Sequence, residues 1–402
     1  MYREPLTSHC RDGGLMKKIY LDYNATTPIH PEVAEFARLF LYELFGNPSS
    51  MHWAGREVRP YIEQARECIA DMIHGGPEEI VFSSGGTEAD NHAIKGVAFA
   101  HREKGNHIIT TKVEHPGVLN ACAYLEKCGF DVTYLPVDRY GVVAPDDVKR
   151  AIRKETILIS VMLANNETGT LMPIKEIGAI AREAGVLFHS DMVQALGKIP
   201  IDVNDMQVDL GAFSGHKVYA PKGVGILYVR EGIDLDNLIH GGHQEAGRRA
   251  GTENLVGIGA FGKACEVMHR EMAVEAPRIE RLRRKLLEGI MARVDDVQLN
   301  GHPEFRLPNT LNLSFGFVES ESLLIGLDLA GVAVSSGSAC SSGSPEPSHV
   351  LLAMDIEPEV CQGALRMSLG RGTTEDDIDY VLDVLPGIVA RLRSMSPFYK
   401  QK

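Results

Sequence analysis

Short apolar runs alternate with amphipathic stretches through the first two-thirds of the chain. Several runs are nearly continuous in apolar residues, which is typical of strands that are buried on both faces. The pattern predicts strands at Glu79–Phe82, His107–Thr111, Val132–Val137, Thr156–Leu163, Leu187–Asp191, Leu210–Phe213 and Gly225–Val229. Stretches with helical spacing lie between them, among them Glu88–His101 and Lys175–Ala184. This alternation predicts a mostly parallel sheet with helices on both sides.

The pattern changes after Gly262, where a long helical stretch replaces the alternation. Residues 263–294 have helical spacing, and one face carries four apolar residues: Ile279, Leu282, Leu286 and Ile290. Pro277 is expected to break or kink this helix, because proline lacks the amide hydrogen that a helix interior needs. A final helix is predicted to begin near Thr373 and to be interrupted at Pro386. The C-terminal third therefore predicts a smaller α+β domain.

Composition and charge exclude several classes of protein. With 402 residues, 44% hydrophobic and 24% charged, the chain has the profile of a globular protein of more than one domain. Its formal charge of −13 disfavours nucleic acid and anionic lipid, and the longest basic block is Arg283–Lys285. No apolar run approaches the ~18 residues of a spanning helix. Neither a nucleic acid nor a membrane is a predicted partner.

Seven cysteines are scattered along the chain without a Cys-x-x-Cys pair. The sequence therefore predicts neither a zinc ribbon nor a thioredoxin-type pair, and a reducing cytoplasm fits it best. Residues 1–15 lack the apolar core of a signal peptide, and we interpret them as an extension ahead of Met16.

Polar groups follow several predicted strands, at the carboxyl edge where parallel sheets bind ligands. Ser83–Glu88 leads into a helix, and its glycines and free N–H groups suit a phosphate, although an ordinary helix cap is the plainer interpretation. Asp191 ends one strand, with Gln194 three residues later, and Lys217 ends another in a Ser-Gly-His-Lys motif. Taken singly, Asp191 is typical of a cap and Lys217 of a solvated surface residue.

Together these groups match what pyridoxal 5′-phosphate requires of a protein. Lys217 would bind the cofactor covalently, and Asp191 would keep its pyridine nitrogen protonated. The phosphate would be held by three residues: Thr87, Ser214 and His216. His115 also follows a strand-like run and could stack on the ring and move protons, whereas a structural histidine is the plainer interpretation.

A loop rich in serine and glycine, Ser335–Ser348, carries Cys340. This composition predicts mobility, so that the thiol could enter a cleft and carry a group out of it, but a flexible linker with an incidental thiol fits equally. Arg366 lies in a Leu-Arg-Met-Ser run, where its planar guanidinium could hold a substrate carboxylate or form a surface ion pair.

These motifs, in this order, resemble those of the cysteine desulfurases of the class V aminotransferase group, most closely the NifS-type members. The resemblance runs from about Lys18 to the C-terminus through ten blocks: Tyr20–Pro28, Phe45–His52, Ser84–Asn91, Val113–Leu119, Asn165–Gly169, Asp191–Lys198, Ser214–Gly225, Gly241–Asn254, Ser335–His349 and Arg366–Asp377. It implies a dimeric fold-type I enzyme that depends on pyridoxal phosphate. The large α/β domain, residues 27–262, would hold a mostly parallel seven-stranded sheet, and residues 16–26 and 263–402 would form the smaller α+β domain.

Family roles carry over position by position. The resemblance implies three catalytic residues: Lys217, His115 and the persulfide-forming Cys340. It implies cofactor contacts from Gly86, Thr87, Asn166, Asp191, Gln194, Ser214, His216 and Lys217, and from Thr252 of the partner subunit. Asp191 would contact the pyridine nitrogen and Gln194 the phenolic oxygen, and Asn166 and Arg366 would bind the substrate carboxylate. No resident metal is implied, although Cys340 could contact an iron–sulfur cluster transiently.

The implied reaction removes sulfur from L-cysteine, giving L-alanine and a persulfide on Cys340. The sulfur would pass to an iron–sulfur scaffold protein of the U type, in a nitrogenase-related or a general role. Two other enzymes stay open: a selenocysteine lyase and another aminotransferase-like enzyme with the same cofactor, which would not need Cys340. A non-enzymatic metal or iron–sulfur chaperone is a further alternative, which the spacing of cysteine and histidine does not favour.

Overall fold

A computed structural model describes residues 17–336, 347–396 and 399. In that part of the chain the helices are α1 Pro31–Tyr42, α2 Trp53–Ile73, α3 Gly86–Ala100, α4 Pro116–Lys127, α5 Pro145–Ala151, α6 Ile174–Ala184, α7 Leu255–Met291, α8 Ser320–Leu329, α9 His349–Ala353, α10 Pro358–Cys361 and α11 Glu375–Met395. The strands are β1 Ile19–Tyr20, β2 Ile80–Ser83, β3 His107–Thr111, β4 Asp131–Leu135, β5 Thr156–Ser160, β6 Leu187–Asp191, β7 Leu210–Ser214, β8 Gly225–Val229, β9 Val297–Asn300, β10 Thr310–Phe315, β11 Val332–Ala333, β12 Ser335–Ser336 and β13 Ala364–Ser368. None of the described helices is both long and apolar enough to cross a membrane.

The larger sheet has seven strands in the order β2-β8-β7-β6-β5-β3-β4. Strand β8 runs antiparallel to both of its neighbours, and every other neighbouring pair is parallel. The mostly parallel seven-stranded sheet predicted from the sequence is therefore confirmed. Strands β3, β5, β7 and β8 are buried at every position, as their continuous apolar runs predict.

One edge of this sheet collects the polar segments. Because β2 and β7 each pair antiparallel with β8, β2 runs in the same direction as β7, β6, β5 and β3. The carboxyl ends of these five strands therefore lie along one edge. Each of these strands is followed closely by a segment that contains a predicted site residue. This edge is therefore the candidate ligand-binding edge of the sheet.

A second core lies beside four strands in the order β12-β13-β10-β9, which pair antiparallel. The N-terminal Ile19 and Leu21 belong to the same apolar cluster as Leu286 of α7 and Leu382 of α11. The small domain of residues 16–26 and 263–402 stays a prediction, because Cys265, Met268 and Leu351 of that range belong to the apolar cluster of the larger sheet. Helix α7 begins at Leu255, so it crosses the proposed boundary at residue 262.

Pro277 is predicted to break or kink its helix and Pro386 to interrupt the last one, but neither proline breaks the helix that contains it. Pro277 lies inside α7 and Pro386 inside α11, and both helices continue beyond the proline. A proline in a helix interior costs about 3 kcal/mol. Burial of one large aliphatic side chain contributes about 1.5–3 kcal/mol, and the four predicted apolar residues of α7 are all buried: Ile279, Leu282, Leu286 and Ile290. Tertiary packing therefore outweighs the local cost.

Candidate active site

Asp191 and a second carboxyl group form a buried acidic pair at the end of β6. Ligand atoms of Asp90, His115 and Asp191 all lie within 4.8 Å of one another. Burial raises the pKa of Asp191, but His115, the amide of Val193 and Lys217 act in the opposite direction. Burial, Asp191 and Glu114 raise the pKa of Asp90 well above its usual range. The pKa of both carboxyl groups is raised, but that of Asp90 is raised well above its usual range and only Asp191 has neighbours that favour its charged form.

His115 caps helix α4 through one ring nitrogen. Its Nδ1 accepts a hydrogen bond from the amide of Gly117 at 3.0 Å. The neutral ring therefore carries its proton on Nε2. Burial lowers the pKa of His115, and Lys217 and His349 lower it further against the opposing effect of Asp191. The imidazole is thus neutral near pH 7, with Nε2 as its donor.

Lys217 ends a short 3₁₀ turn, Gly215–Lys217, directly after β7. Its Nζ donates to the backbone carbonyl of Asn24 and, at 2.9 Å, to that of Ala25. The same Asn24 donates through Nδ2 to the carbonyl of Asn166 at 3.1 Å. The N-terminal segment therefore joins the lysine to the residues that follow β5.

A cradle for an anion lies where β2 leads into α3. The N-cap of α3 is Gly85, whose φ of +154° favours glycine and which offers no capping side chain. A Cβ added to Gly86 would lie 2.6 Å from Cγ2 of Val193, and one added to Gly85 would lie 3.7 Å from Oγ of Ser214. Glycine at position 86 thus lets α3 pack closely against Val193, and the amides of the first helical turn suit a phosphate.

Two further predicted phosphate contacts lie beside this cradle. Thr87 occupies the first turn of α3, and its Oγ1 lies 3.6 Å from the position that a Cβ would take on Gly117. His216 precedes the lysine, and its Nδ1 lies 3.1 Å from Oγ1 of Thr26. Burial, Lys217 and other nearby lysines lower the pKa of His216 to about 4. This imidazole is therefore neutral near pH 7 and contributes hydrogen bonding without charge.

Arg366 is a buried arginine, and one of its N–H donors has no partner among the described residues. It lies on β13 and is 2% exposed. One terminal nitrogen donates to Oδ1 of Asp22 at 2.9 Å and the other to the carbonyl of Asn166 at 3.0 Å. Its Nε is buried and lacks a partner among the described residues. An unpaired guanidinium donor suits a carboxylate, which is the role predicted for this residue.

Most predicted site residues thus lie along one edge of the larger sheet. Arg366 reaches that edge from β13 of the smaller sheet, and Thr252 and Cys340 do not join the cluster. Thr252 is exposed in the loop before α7, and no described hydrogen bond ties it to the cluster. Cys340 lies outside the described residues. Gln194 is buried near Asn24, to whose backbone carbonyl its Nε2 donates at 3.0 Å.

The sequence reasoning missed the residues behind Asp191. Ser160 Oγ lies 2.9 Å from Nδ1 of His189, whose Nε2 lies 3.5 Å from Oδ1 of Asp90. All three are almost completely buried, so this Ser-His-Asp series is not open to a substrate. A signal was present, because Asp90 lies next to the apolar stripe of α3 at Ala93 and Val97, where a charge is unusual.

The donor set fits pyridoxal 5′-phosphate. The uncapped N-terminus of α3 suits its phosphate, the carboxyl group of Asp191 suits a protonated ring nitrogen, and Lys217 offers an amine near Asp191. The unpaired Nε of Arg366 suits the carboxylate of an amino-acid substrate. This set favours an enzyme that binds an amino acid through the cofactor.

Comparisons with known proteins agree with this geometry. Residues 19–381 match the family described as aminotransferase class-V. The chain is 55% identical to "Cysteine desulfurase IscS" of Dictyoglomus turgidum, over 96% of this chain and 98% of the relative. It is 49% identical to "Cysteine desulfurase" of Trichormus azollae, over 95% and 96% of the two chains.

Solved structures give the same result. A "NifS-like protein" superposes with a TM-score of 0.88 at 38% identity, covering 94% of this chain and all of that one. The structure titled "SspA in complex with cysteine" superposes with a TM-score of 0.79 at 38% identity, covering 88% and 99%. The chain therefore belongs to the aminotransferase class-V family. Within that family it is an enzyme of the cysteine desulfurase group.

Proposed function

We propose that this protein uses pyridoxal 5′-phosphate to convert L-cysteine to L-alanine and to leave a persulfide on Cys340. One observation carries the proposal: Lys217 and Asp191 lie at the carboxyl edge of the larger sheet, and Arg366 of β13 reaches Asn166 at that edge, in a chain 55% identical to a cysteine desulfurase. The reaction balances without an outside oxidant. The C–S bond of cysteine breaks, an S–S bond forms, and the carbon that loses sulfur takes up a proton.

Different residues bind the amino acid and remove its Cα proton. Pyridoxal phosphate, when bound, supplies an electron sink for the negative charge that develops at Cα. Asp191 holds a proton at the ring nitrogen. Arg366 and Asn166 orient the substrate carboxylate, and Lys217, once its amine is free, removes the Cα proton. Gly86, Thr87, Ser214 and His216 hold the phosphate.

Cys340 acts on the sulfur of the substrate, and His115 acts on protons that move during the reaction. The thiolate of Cys340 attacks the sulfur of the substrate, since thiolates rather than thiols are nucleophiles. His115 exchanges protons at Nε2, because the amide of Gly117 occupies Nδ1. The persulfide on Cys340 then passes to an acceptor, which we propose is an iron–sulfur scaffold protein. Free thiols at the five described cysteines support a reducing compartment such as the cytoplasm.

Mass spectrometry after brief exposure to cysteine tests this function. The wild-type protein should gain one sulfur atom on the peptide that contains Cys340 and should release alanine. Cys340→Ser should keep the cofactor absorbance but lose both, whereas Cys128→Ser, at a half-buried thiol far along the chain, should behave as wild type. Alanine formed at the normal rate by Cys340→Ser would instead favour an aminotransferase-like enzyme. A much higher kcat/KM for selenocysteine than for cysteine would favour a selenocysteine lyase.

We further propose that the active unit is a homodimer. Large apolar residues from the end of α1 to the start of α2 are exposed in the single chain: Leu41, Tyr42, Phe45, Met51 and Trp53. Apolar patches of this kind are typical of protein interfaces. The exposure of Thr252 supports its predicted role as a phosphate contact from the partner subunit.

Mixing two inactive variants tests the shared site. Lys217→Ala and Thr252→Val homodimers should each be inactive at limiting cofactor. If Thr252 serves the opposite subunit, a mixed dimer keeps one intact site, so random mixing should restore about a quarter of wild-type activity. The measurement is alanine formation after joint expression of the two variants with different tags. If Thr252 served its own subunit, the mixture would recover nothing.

A further inference from the structure

Lys198 is a lysine of the site edge to which the proposed function gives no task. It lies seven residues after Asp191, in the turn that follows β6. Its Nζ donates to Oε1 of Gln194 at 2.8 Å and to Oδ1 of Asn24 at 3.4 Å. Both partners also contact other site residues, so Lys198 is joined to the cluster.

The two contacts of Gln194 define which way its amide points. Nζ of Lys198 donates to the side chain of Gln194 at 2.8 Å, so the amide atom that faces Lys198 is the oxygen. A backbone carbonyl can only accept, so the atom that faces Asn24 must be the nitrogen, at 3.0 Å. A reversed amide would set two donors against each other and two acceptors against each other. Lys198 and Asn24 therefore impose the same orientation.

Burial of the Lys198 amine costs free energy that a purely structural role does not explain. Burial lowers its pKa, and the two charges that act on it most, Lys217 and Arg366, are both positive. Among the described ion pairs, none joins Lys198 to a carboxylate. An apolar side chain of similar length would fill the same space without this cost.

We propose that Lys198 is a positioning residue: it holds the amide of Gln194 so that its N–H group, rather than its oxygen, faces the phenolic oxygen of the cofactor. The inference rests on the proposed function, in which Gln194 contacts that oxygen. Lys198 itself touches neither substrate nor cofactor in this role.

The orientation has a spectroscopic consequence. A donor beside the phenolic oxygen stabilises its negative charge and so weakens its hold on the proton of the Lys217 nitrogen. Among the described residues, other charged groups near this part of the site include Arg366 with its partner Asp22, and Asp191. The pKa of His115 and that of His216 are both lowered, so both rings are neutral near pH 7. Loss of the donor should therefore raise the pH midpoint of the absorbance change of the bound cofactor.

The experiment is a spectrophotometric pH titration of the purified holoenzyme. Lys198→Met should raise the midpoint by about one pH unit, the size expected for one hydrogen bond to a charged group. Lys175→Met, at an exposed lysine paired with Asp205, is the matched control and should titrate as wild type. An unshifted Lys198→Met midpoint overturns the inference.

A double-mutant cycle separates positioning from plain charge. If Lys198 acts through Gln194, then Gln194→Leu and Lys198→Met/Gln194→Leu should have the same midpoint. If the two shifts add instead, Lys198 acts on its own and the positioning role is wrong. Lys198→Arg keeps the donors and should titrate near wild type. If Lys198→Met does not bind the cofactor, Lys198→Arg becomes the test. A large shift of its pH midpoint from the wild-type value contradicts the inference.

Failure of this inference and failure of the proposed function are distinguishable. A wild-type protein that binds no pyridoxal phosphate and forms no alanine from cysteine contradicts the proposed function. A wild type that does both, together with Lys198 variants that titrate as wild type, contradicts only the role of Lys198.

Discussion

Lys217→Ala should lower the turnover of cysteine by at least about a thousandfold, because it removes both the covalent attachment of the cofactor and the base at Cα. Nζ of Lys217 donates to the backbone carbonyl of Ala25 at 2.9 Å within the site. No other lysine is proposed to attach the cofactor. Borohydride reduction followed by peptide mapping should fix the cofactor to Lys217 in the wild type and should leave the variant unlabelled.

Lys175→Ala is the control for this experiment, since that lysine is exposed and lies in an ion pair on α6. It should be labelled at Lys217 and turn over cysteine like the wild type. A Lys217→Ala protein that still carries the reduced cofactor on another lysine, with normal turnover, would show that the amine has been assigned to the wrong residue.

Asp191→Asn should lower turnover by a hundredfold or more, because an amide cannot compensate the positive charge of a protonated ring nitrogen. Breaking a buried charge pair typically costs about 3–5 kcal/mol, which corresponds to that range. The variant keeps the shape of the side chain, and its amide oxygen can still accept the hydrogen bond from Val193 that Oδ1 accepts at 2.9 Å. A loss of activity with normal folding therefore reports on charge.

Asp90→Asn is the matched control for Asp191→Asn. Both residues are buried carboxyl groups in one cluster, but Asp90 is expected to be neutral already, so an amide should change turnover far less. Steady-state rates and the cofactor spectrum of the two variants test the assignment. If Asp90→Asn were the more damaging change, the charge would lie on Asp90 and the assignment would have to be reversed.

Much of the large sheet could be predicted from the sequence, because a buried parallel strand corresponds to a short run of apolar residues. Strands β3, β6 and β8 have the predicted bounds. The prolines of α7 and α11 show where local reasoning fails. A proline's cost is local, but the burial that outweighs it comes from residues of other elements, among them Leu21 against α7 and α11.

The amino-acid sequence by itself determined the order of the elements and which reactive side chains stand at strand ends, since apolar period and turn residues act over a few positions. Only the tertiary structure decided their chemical states. It raises the pKa of Asp90 well above its usual range, leaves Nε of Arg366 without a partner among the described residues, and turns the amide nitrogen of Gln194 toward Asn24. Charge and hydrogen-bond direction depend on burial and on distances between residues far apart in the chain, which no local pattern records.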